Sequence, residues 1–447
     1  MIMPNIVFDF SEKMGAIKAM HGVGQPPLLG TDTSYFRYLK EANIPYSRLH
    51  DVAGWWGGNM FVDIPNIFRD FDANENDPAS YDFVFTDILI AGLIENNCQP
   101  VFRLGITIEN FHRIKSYRIF PPRDPAKWAR ICEHIIRHYN EGWADGFSYG
   151  IEYWEVWNEP DNGPTSESNH MWQGSQEEFF ELYRVTSKHL RACFGNKIKI
   201  GGYASCGFYS QLNDRTRHLG VALGMTKDPT DREVRITYWT TFFLDFIEMV
   251  SKENLPLDFF SHHSYENVEN TLIMHRYAEQ KLDEAGLGDV EIHLNEWNPN
   301  PTREERGTSI ACADATAMMC AMQDTKMHMM CFYDARIGIS LYAGLFNPLT
   351  LQPFCTYYGF KAFGKLYELG TQIKSECDGQ GVYVTAATDD KKKGVLVVNL
   401  GEDTKITTNL NEDMTVYLID EEHMFEETNL NATEFVLKQH QVVYIEG

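Results

Sequence analysis

Short apolar runs and longer amphipathic stretches alternate along most of this chain. The apolar runs are Ala16–Val23, Ile44–His50, Gln99–Leu104, Ile151–Asn158, Lys197–Gly202, Leu257–His263, Val290–Glu296 and His328–Asp334. Each is short and almost continuously apolar, the pattern of a strand covered on both faces. Helical spacing of apolar residues fills the intervals near 33–42, 81–96, 125–140, 176–194, 238–252, 268–285, 308–323 and 356–369. Ser175-Gln-Glu-Glu178 has the form of a capping box and predicts the start of the fourth helix. Eight strand–helix alternations predict an α/β fold, a (β/α)8 TIM barrel. An open doubly wound sheet would need a glycine-rich phosphate turn after an early strand. His21-Gly-Val-Gly-Gln-Pro-Pro does not supply one, because the two prolines are wrong for a helix start.

From about Thr371 the period changes. Short alternating runs follow at Gly381–Ala387, Gly394–Asn399, Thr415–Ile419, Glu434–Leu437 and Val442–Ile445, separated by acidic turns. They predict a small accessory all-β, sandwich-like domain. Asn5–Phe10 stands too far ahead of the first barrel strand to belong to the barrel. The expected division is therefore a catalytic barrel over 12–370, and an accessory domain over 371–447 joined by an N-terminal strand at 4–10.

The net charge of −24 repels phosphate backbones and anionic lipid, so neither nucleic acid nor membrane is an expected partner. No run of apolar residues is long enough to span a bilayer. The start, Met1-Ile-Met-Pro-Asn-Ile-Val-Phe-Asp-Phe, lacks a basic segment followed by an apolar one. Nine cysteines, an odd number without a Cys-x-x-Cys pair, fit buried free thiols in a reducing compartment. The expected location is cytoplasmic. A signal removed ahead of this sequence stays open, as does association into a homo-oligomer. Aromatic residues make up 13%, for which core packing is the ordinary reading; Trp55, Trp56, Trp172 and Trp297 stand in loops or at strand tips, where a flat ring can instead stack on a sugar.

In a barrel enzyme the reactive side chains sit at the C-terminal ends of strands. The fourth strand ends Trp154-Glu-Val-Trp-Asn-Glu-Pro-Asp161, placing Glu159 at the tip with Asn158 before it and Pro160 stopping the strand. Alone, Asn-Glu-Pro could simply open a helix. The seventh strand ends Asn295-Glu-Trp297, placing Glu296 at a second tip. Alone, that glutamate could belong to a structural ion pair. Together the two carboxyls reach across one barrel mouth, which is what glycoside hydrolysis needs.

The sixth strand ends His262-His-Ser-Tyr265. Tyr265 can donate to Glu296 and keep it ionised. His263 can hold the other glutamate or a sugar hydroxyl, with a core or metal-bound histidine as the alternative. At the second strand, Arg48 can brace the carboxylate pair and His50 can bind a hydroxyl; the alternative for Arg48 is an ion pair within the barrel. Asp334, ending the eighth strand, can read sugar hydroxyls or pair with Arg336. A metallohydrolase would want His-x-His after the first strand, which is absent, so no metal and no cofactor are expected.

Trp157-Asn-Glu-Pro, His263-Ser-Tyr265 and Asn295-Glu-Trp297 resemble the retaining clan of (β/α)8 glycosidases with catalytic Glu on strands four and seven. Arg48-Leu-His50, Gly201-Gly202 and Gly344-Leu-Phe…Pro353-Phe…Tyr357-Tyr-Gly-Phe point within it to glycoside hydrolase family 39, the β-xylosidase family. The resemblance implies an exo-acting retaining β-glycosidase of xylosidase type acting on an oligosaccharide or glycoside. Glu159 would be the acid/base and Glu296 the nucleophile. Asn158 would hold the sugar 2-hydroxyl, His263 and Tyr265 would flank the pair, and His50 would line the −1 subsite. Two departures bear on the sugar. Asp334 stands where xylosidases tend to place a Glu, and the loop Asp51–Asp70 is long and carries Trp55-Trp56-Gly-Gly. Another sugar (a galactoside, an arabinoside or an exopolysaccharide) and a non-catalytic carbohydrate-binding barrel are the alternatives.

Overall fold

The computed structural model describes residues 4–52, 61–107, 119–213, 228–300, 302, 304–338 and 342–447. Eight parallel strands close a barrel in chain order: β2 (Ala19–Gly24), β3 (Tyr46–Leu49), β4 (Gln99–Leu104), β5 (Tyr153–Val156), β6 (Lys199–Ser205), β7 (Phe259–Ser264), β8 (Glu291–Trp297) and β9 (Met327–Phe332). Nearly every residue of these strands is buried, which explains their largely apolar character; the buried polar residues among them include Arg48, Glu155, His263 and Glu296. The helix Gln176–Phe194 begins at Ser175, whose hydroxyl accepts from the Glu178 N–H while Glu178 caps the Ser175 N–H in return.

A second sheet holds nine strands in the order β15-β14-β17-β12-β11-β10-β1-β13-β16. These are β1 (Asn5–Ala16), β10 (Thr371–Cys377), β11 (Val382–Thr388), β12 (Lys393–Asn399), β13 (Thr404–Thr408), β14 (Thr415–Ile419), β15 (Met424–Thr428), β16 (Glu434–Leu437) and β17 (Gln441–Glu446). β1 pairs antiparallel with β10 and parallel with β13. It does not stop at Phe10 but continues to Ala16 through register shifts around Lys13. Residue 16, expected to open the barrel, therefore closes β1, and β2 begins at Ala19. Three strands escaped the alternation pattern: β10, β13 and β15. Their sequences, TQIKSEC, TKITT and MFEET, offer too few apolar side chains to mark a buried face. The helices Ser309–Gln323 and Cys355–Leu369 pack on β11 and β12, so one apolar core runs from the barrel into this sheet. A second core, including Ile6, Phe8, Val397 and Ile445, fills the sheet's other face.

Candidate active site

β5 is the fourth barrel strand, and beyond it the backbone departs from strand geometry. Trp157 and Glu159 both adopt positive φ, 74° and 46°. L-residues enter this region at a cost, and such positions concentrate at functional sites. The consequence is that Asn158 and Glu159, adjacent in sequence, both meet groups from other barrel strands. Strict alternation would send one of them outward. The Glu159 N–H donates to the Ala204 carbonyl at 3.0 Å, which fixes the turn.

β8, the seventh strand, solves the same problem with an irregular register. His262 pairs with Leu294, yet His263 pairs with Glu296, so one extra residue sits in β8. Asn295 and Glu296 therefore both face the barrel interior. Trp297 then faces outward. It is wholly buried, with its ring against Phe332 and Phe360, the latter on the helix Cys355–Leu369. The expectation that Trp297 stacks on sugar is corrected: it is a core residue between strand and helix. Trp172 is likewise buried, packed edge-on against Trp157, and offers no free face. Trp55 and Trp56 lie outside the described residues.

Arg48 organises the floor of the mouth. Its Nη2 lies 2.7 Å from Glu155 Oε2. The same nitrogen donates to Asn158 Oδ1 at 2.6 Å, and Nη1 donates to Glu296 Oε2 at 3.2 Å. The other oxygen of Glu155 accepts from Ser261 Oγ at 2.6 Å and from Asn295 Nδ2. This buried charge is thus both paired and hydrogen-bonded. Tyr265 donates its hydroxyl to Glu296 Oε1, so both oxygens of that carboxylate are held by donors.

His263 lies between the glutamates. Its Nδ1 is 2.8 Å from Glu159 Oε1, and its Nε2 is 3.8 Å from Glu296 Oε2. Burial depresses the imidazole to about 4, so it is neutral near pH 7. A carboxylate oxygen of Glu159 and one of Glu296 lie within 4.8 Å of each other. Burial lifts the Glu159 carboxyl to about 7 against the opposing influence of Asn162 and Arg48. Glu159 still keeps 19% of its side chain exposed, an open edge toward the mouth.

His50 and Asp51 sit beside this pair. His50 Nε2 is 3.2 Å from Asp51 Oδ1, and Asp51 Oδ2 accepts from the Tyr333 hydroxyl at 2.9 Å. Burial and then the Arg103 charge push His50 well below its ordinary range. Burial and then the Glu296 charge push Asp51 well above the carboxylate range. Asp334 has no exposed surface. Its Oδ1 accepts from the Arg336 N–H at 3.2 Å, and its Oδ2 lies 3.9 Å from Arg336 Nη2, the pairing that was the alternative to sugar binding. His262 packs its ring against Phe208 and Phe260.

Glu155, Asp51, Asn162, Tyr333 and Tyr342 are the site residues that sequence reading missed. Glu155 was findable, because an arginine inside a barrel needs a counter-charge, and Glu155 shares the inward face of β5 with Tyr153. Tyr342 stacks on Tyr265 with ring centroids 5.4 Å apart, but nothing in its sequence neighbourhood marks it.

Two clusters among the described residues have the donors to hold a cation: Glu159 with His263 and Glu296, and Glu133 with His189 and Cys193. In the first, the guanidinium of Arg48 already rests on a Glu296 oxygen, and a divalent ion would face that fixed charge. Paired carboxyls, one held by Arg48 and Tyr265 and the other raised toward neutral pH by burial, can act as nucleophile and proton donor across one reacting bond.

The sequence profile of glycosyl hydrolases family 39 matches residues 26–305. The chain belongs to glycosyl hydrolase family 39. This family 39 chain is 23% identical over 220 residues to a β-xylosidase of Geobacillus stearothermophilus; the match takes in 47% of the chain and only 35% of that relative. Among solved structures it is similar to a glucosidase from Croceicoccus marinus, at a TM-score of 0.75 and 18% identity, covering 99% of this chain and 98% of that one. A family 39 β-xylosidase from Caulobacter crescentus gives 0.69 and 15%, covering 99% of each chain. At these identities the likeness is one of fold. The matched family is one of glycosyl hydrolases, enzymes that act on carbohydrates. Among the described residues, no helix is long and apolar enough to cross a membrane.

Proposed function

We propose that the enzyme hydrolyses β-linked glycosides with retention, by double displacement, with Glu159 as acid/base and Glu296 as nucleophile. The observation that carries this reading is the approach of their carboxylate oxygens to within 4.8 Å. Carboxyls about 5–5.5 Å apart leave no room for an interposed water, whereas inverting pairs stand about 6.5–9.5 Å apart. In the first step Glu159 gives its proton to the leaving oxygen, and Glu296 attacks the anomeric carbon. In the second, Glu159 takes a proton from water, which displaces Glu296. Arg48 and Tyr265 hold Glu296, Asn158 is placed to meet the 2-hydroxyl, and His50 lines the −1 subsite. Asp51 joins His50 there; with Arg336 beside it, Asp334 becomes a support for the wall rather than the main hydroxyl reader.

The sugar is read as xylose, removed from a chain end, because the Geobacillus relative and the Caulobacter family 39 protein are both β-xylosidases. A second reading, hydrolysis of β-glucosides, is favoured by the similarity to the Croceicoccus glucosidase. A panel of aryl β-xylosides, β-glucosides, β-galactosides and α-L-arabinosides separates these readings. Proton NMR of the first-formed sugar tests the stereochemistry: the β-anomer is expected, and initial release of the α-anomer would sink the double-displacement reading.

A further inference from the structure

Glu159 is gripped on both oxygens, and one of the two grips comes from outside the barrel strands. His263 meets Oε1, while Asn162 Nδ2 donates to Oε2 at 3.0 Å. Asn162 is itself fixed. Its N–H donates to the Glu159 carbonyl at 3.0 Å, closing a turn around Pro160 and Asp161. Its own carbonyl accepts from Arg235 Nη1 at 3.2 Å and from Trp239 Nε1 at 3.4 Å. Both donors lie on the helix Pro229–Glu253 and are buried. Asp231 holds Arg235 in turn, at 3.3 Å. The side-chain amide is therefore aimed by a rigid element that supplies no group to the sugar-facing pair.

We propose that Asn162 is a positioning residue for the acid/base: anchored by Arg235 and Trp239, it occupies Glu159 Oε2 and keeps the transferable proton on Oε1, the oxygen beside His263. This rests on the reading of Glu159 as acid/base. An amide N–H on Oε2 has two effects. It fixes the rotation of the carboxyl, and it stabilises the carboxylate that remains once the proton has left. The other groups facing Glu159 come from several elements. Arg48 and His263 stand on β3 and β7, Glu296 on β8, and Cys206 just beyond β6. Tyr209 approaches from the short 3-10 helix Tyr209–Gln211 and Tyr342 from a loop, and Asp161 lies in the same turn. Arg48 lowers the Glu159 carboxyl, as Asn162 does, and Asp161 interacts with it as a second buried acid.

The test compares Asn162→Ala, the near-isosteric Asn162→Asp and Glu159→Ala on aryl β-xylosides of graded leaving-group acidity, across pH. Removing the amide donor should move the basic limb of kcat/KM upward by about one pH unit. Asn162→Asp adds a like charge and should move it at least as far. Both variants should lose on the order of ten-fold on phenyl xyloside and little on the dinitrophenyl compound, because proton donation matters most for poor leaving groups. An unmoved limb with equal loss on every substrate would reduce Asn162 to a structural role and overturn the proposal. Asn162→Asp preserves size, so the test survives if the alanine variant does not fold. Glu159→Ala separates the two ideas. If it loses equally on all leaving groups, the acid/base reading itself fails; if it shows the steep dependence while both Asn162 variants show neither effect, only the positioning proposal fails.

Discussion

Arg48 and Glu155 form an ion pair of 2.7 Å inside the barrel, with 2% and 0% of their side chains exposed. From that pair the guanidinium extends to Asn158 and Glu296, so the floor of the mouth and the proposed nucleophile share a single cation. Removing one partner of a buried pair strands the other in a medium that solvates it poorly. Glu155→Ala should therefore cost about 3–5 kcal/mol in denaturant unfolding. A loss below about 1 kcal/mol, the value of a surface pair, would mean that Glu155 is not the main counter-charge.

The raised Glu159 carboxyl sets the pH behaviour. With Glu159 as the proposed acid, glycosyl transfer from an unactivated substrate needs it protonated, so kcat/KM should fall as pH rises through about 7. A basic limb below about pH 5 would contradict the raised value of the Glu159 carboxyl, because that group would then titrate like an ordinary exposed glutamate.

The same group bears on stability, with a definite sign. Its folded value, about 7, stands above its ordinary value of 4.5, so between these the folded state holds a proton that the unfolded state has lost. Stability falls with rising pH through that window. Glu159→Gln removes the effect and should melt above the parent at pH 8, with the difference closing toward pH 4. A constant difference across that range would contradict the assigned titration.

Tyr265→Phe deletes one donor to Glu296 and leaves the ring that stacks on Tyr342. A hydrogen bond to a charged group contributes about 1.5–3 kcal/mol, so kcat should drop about ten- to a hundred-fold, with a melting temperature lower by a few degrees at most. Unaltered kcat would show that Arg48 alone suffices to hold the carboxylate.

Trp297→Phe separates core from subsite. Outward packing against Phe332 and Phe360 predicts a lower melting temperature and a KM within about two-fold of the parent, since packing rather than sugar contact is lost. A large rise in KM with stability intact would restore the stacking role.

Much of this architecture was legible in the chain because its strands are short, apolar and separated by helices of the right length. The meeting of Glu159 and Glu296 was legible for the same reason: each closes an apolar run in a position that points to one mouth. Trp297 shows the limit. Alternation would have sent it outward had the inward face of Glu296 been taken as fixed, but aromatic character next to a reactive glutamate suggested sugar. The extra residue in β8 that turns both Asn295 and Glu296 inward is a register feature, invisible without the partner strand. Asp51 hid behind its own backbone, because φ of 39° lets it stand at the mouth beside His50 where strand geometry would turn it away. Asn162 hid because its anchors, Arg235 and Trp239, lie on a distant helix whose packing only the fold decides.

The most direct test of the central claim is covalent trapping. Incubation with an activated 2-deoxy-2-fluoro β-xyloside slows breakdown of the glycosyl-enzyme, and peptide mass spectrometry then locates the sugar. The label should sit on Glu296. A label on any other residue, or turnover of that compound with no covalent species at all, would contradict the proposed mechanism.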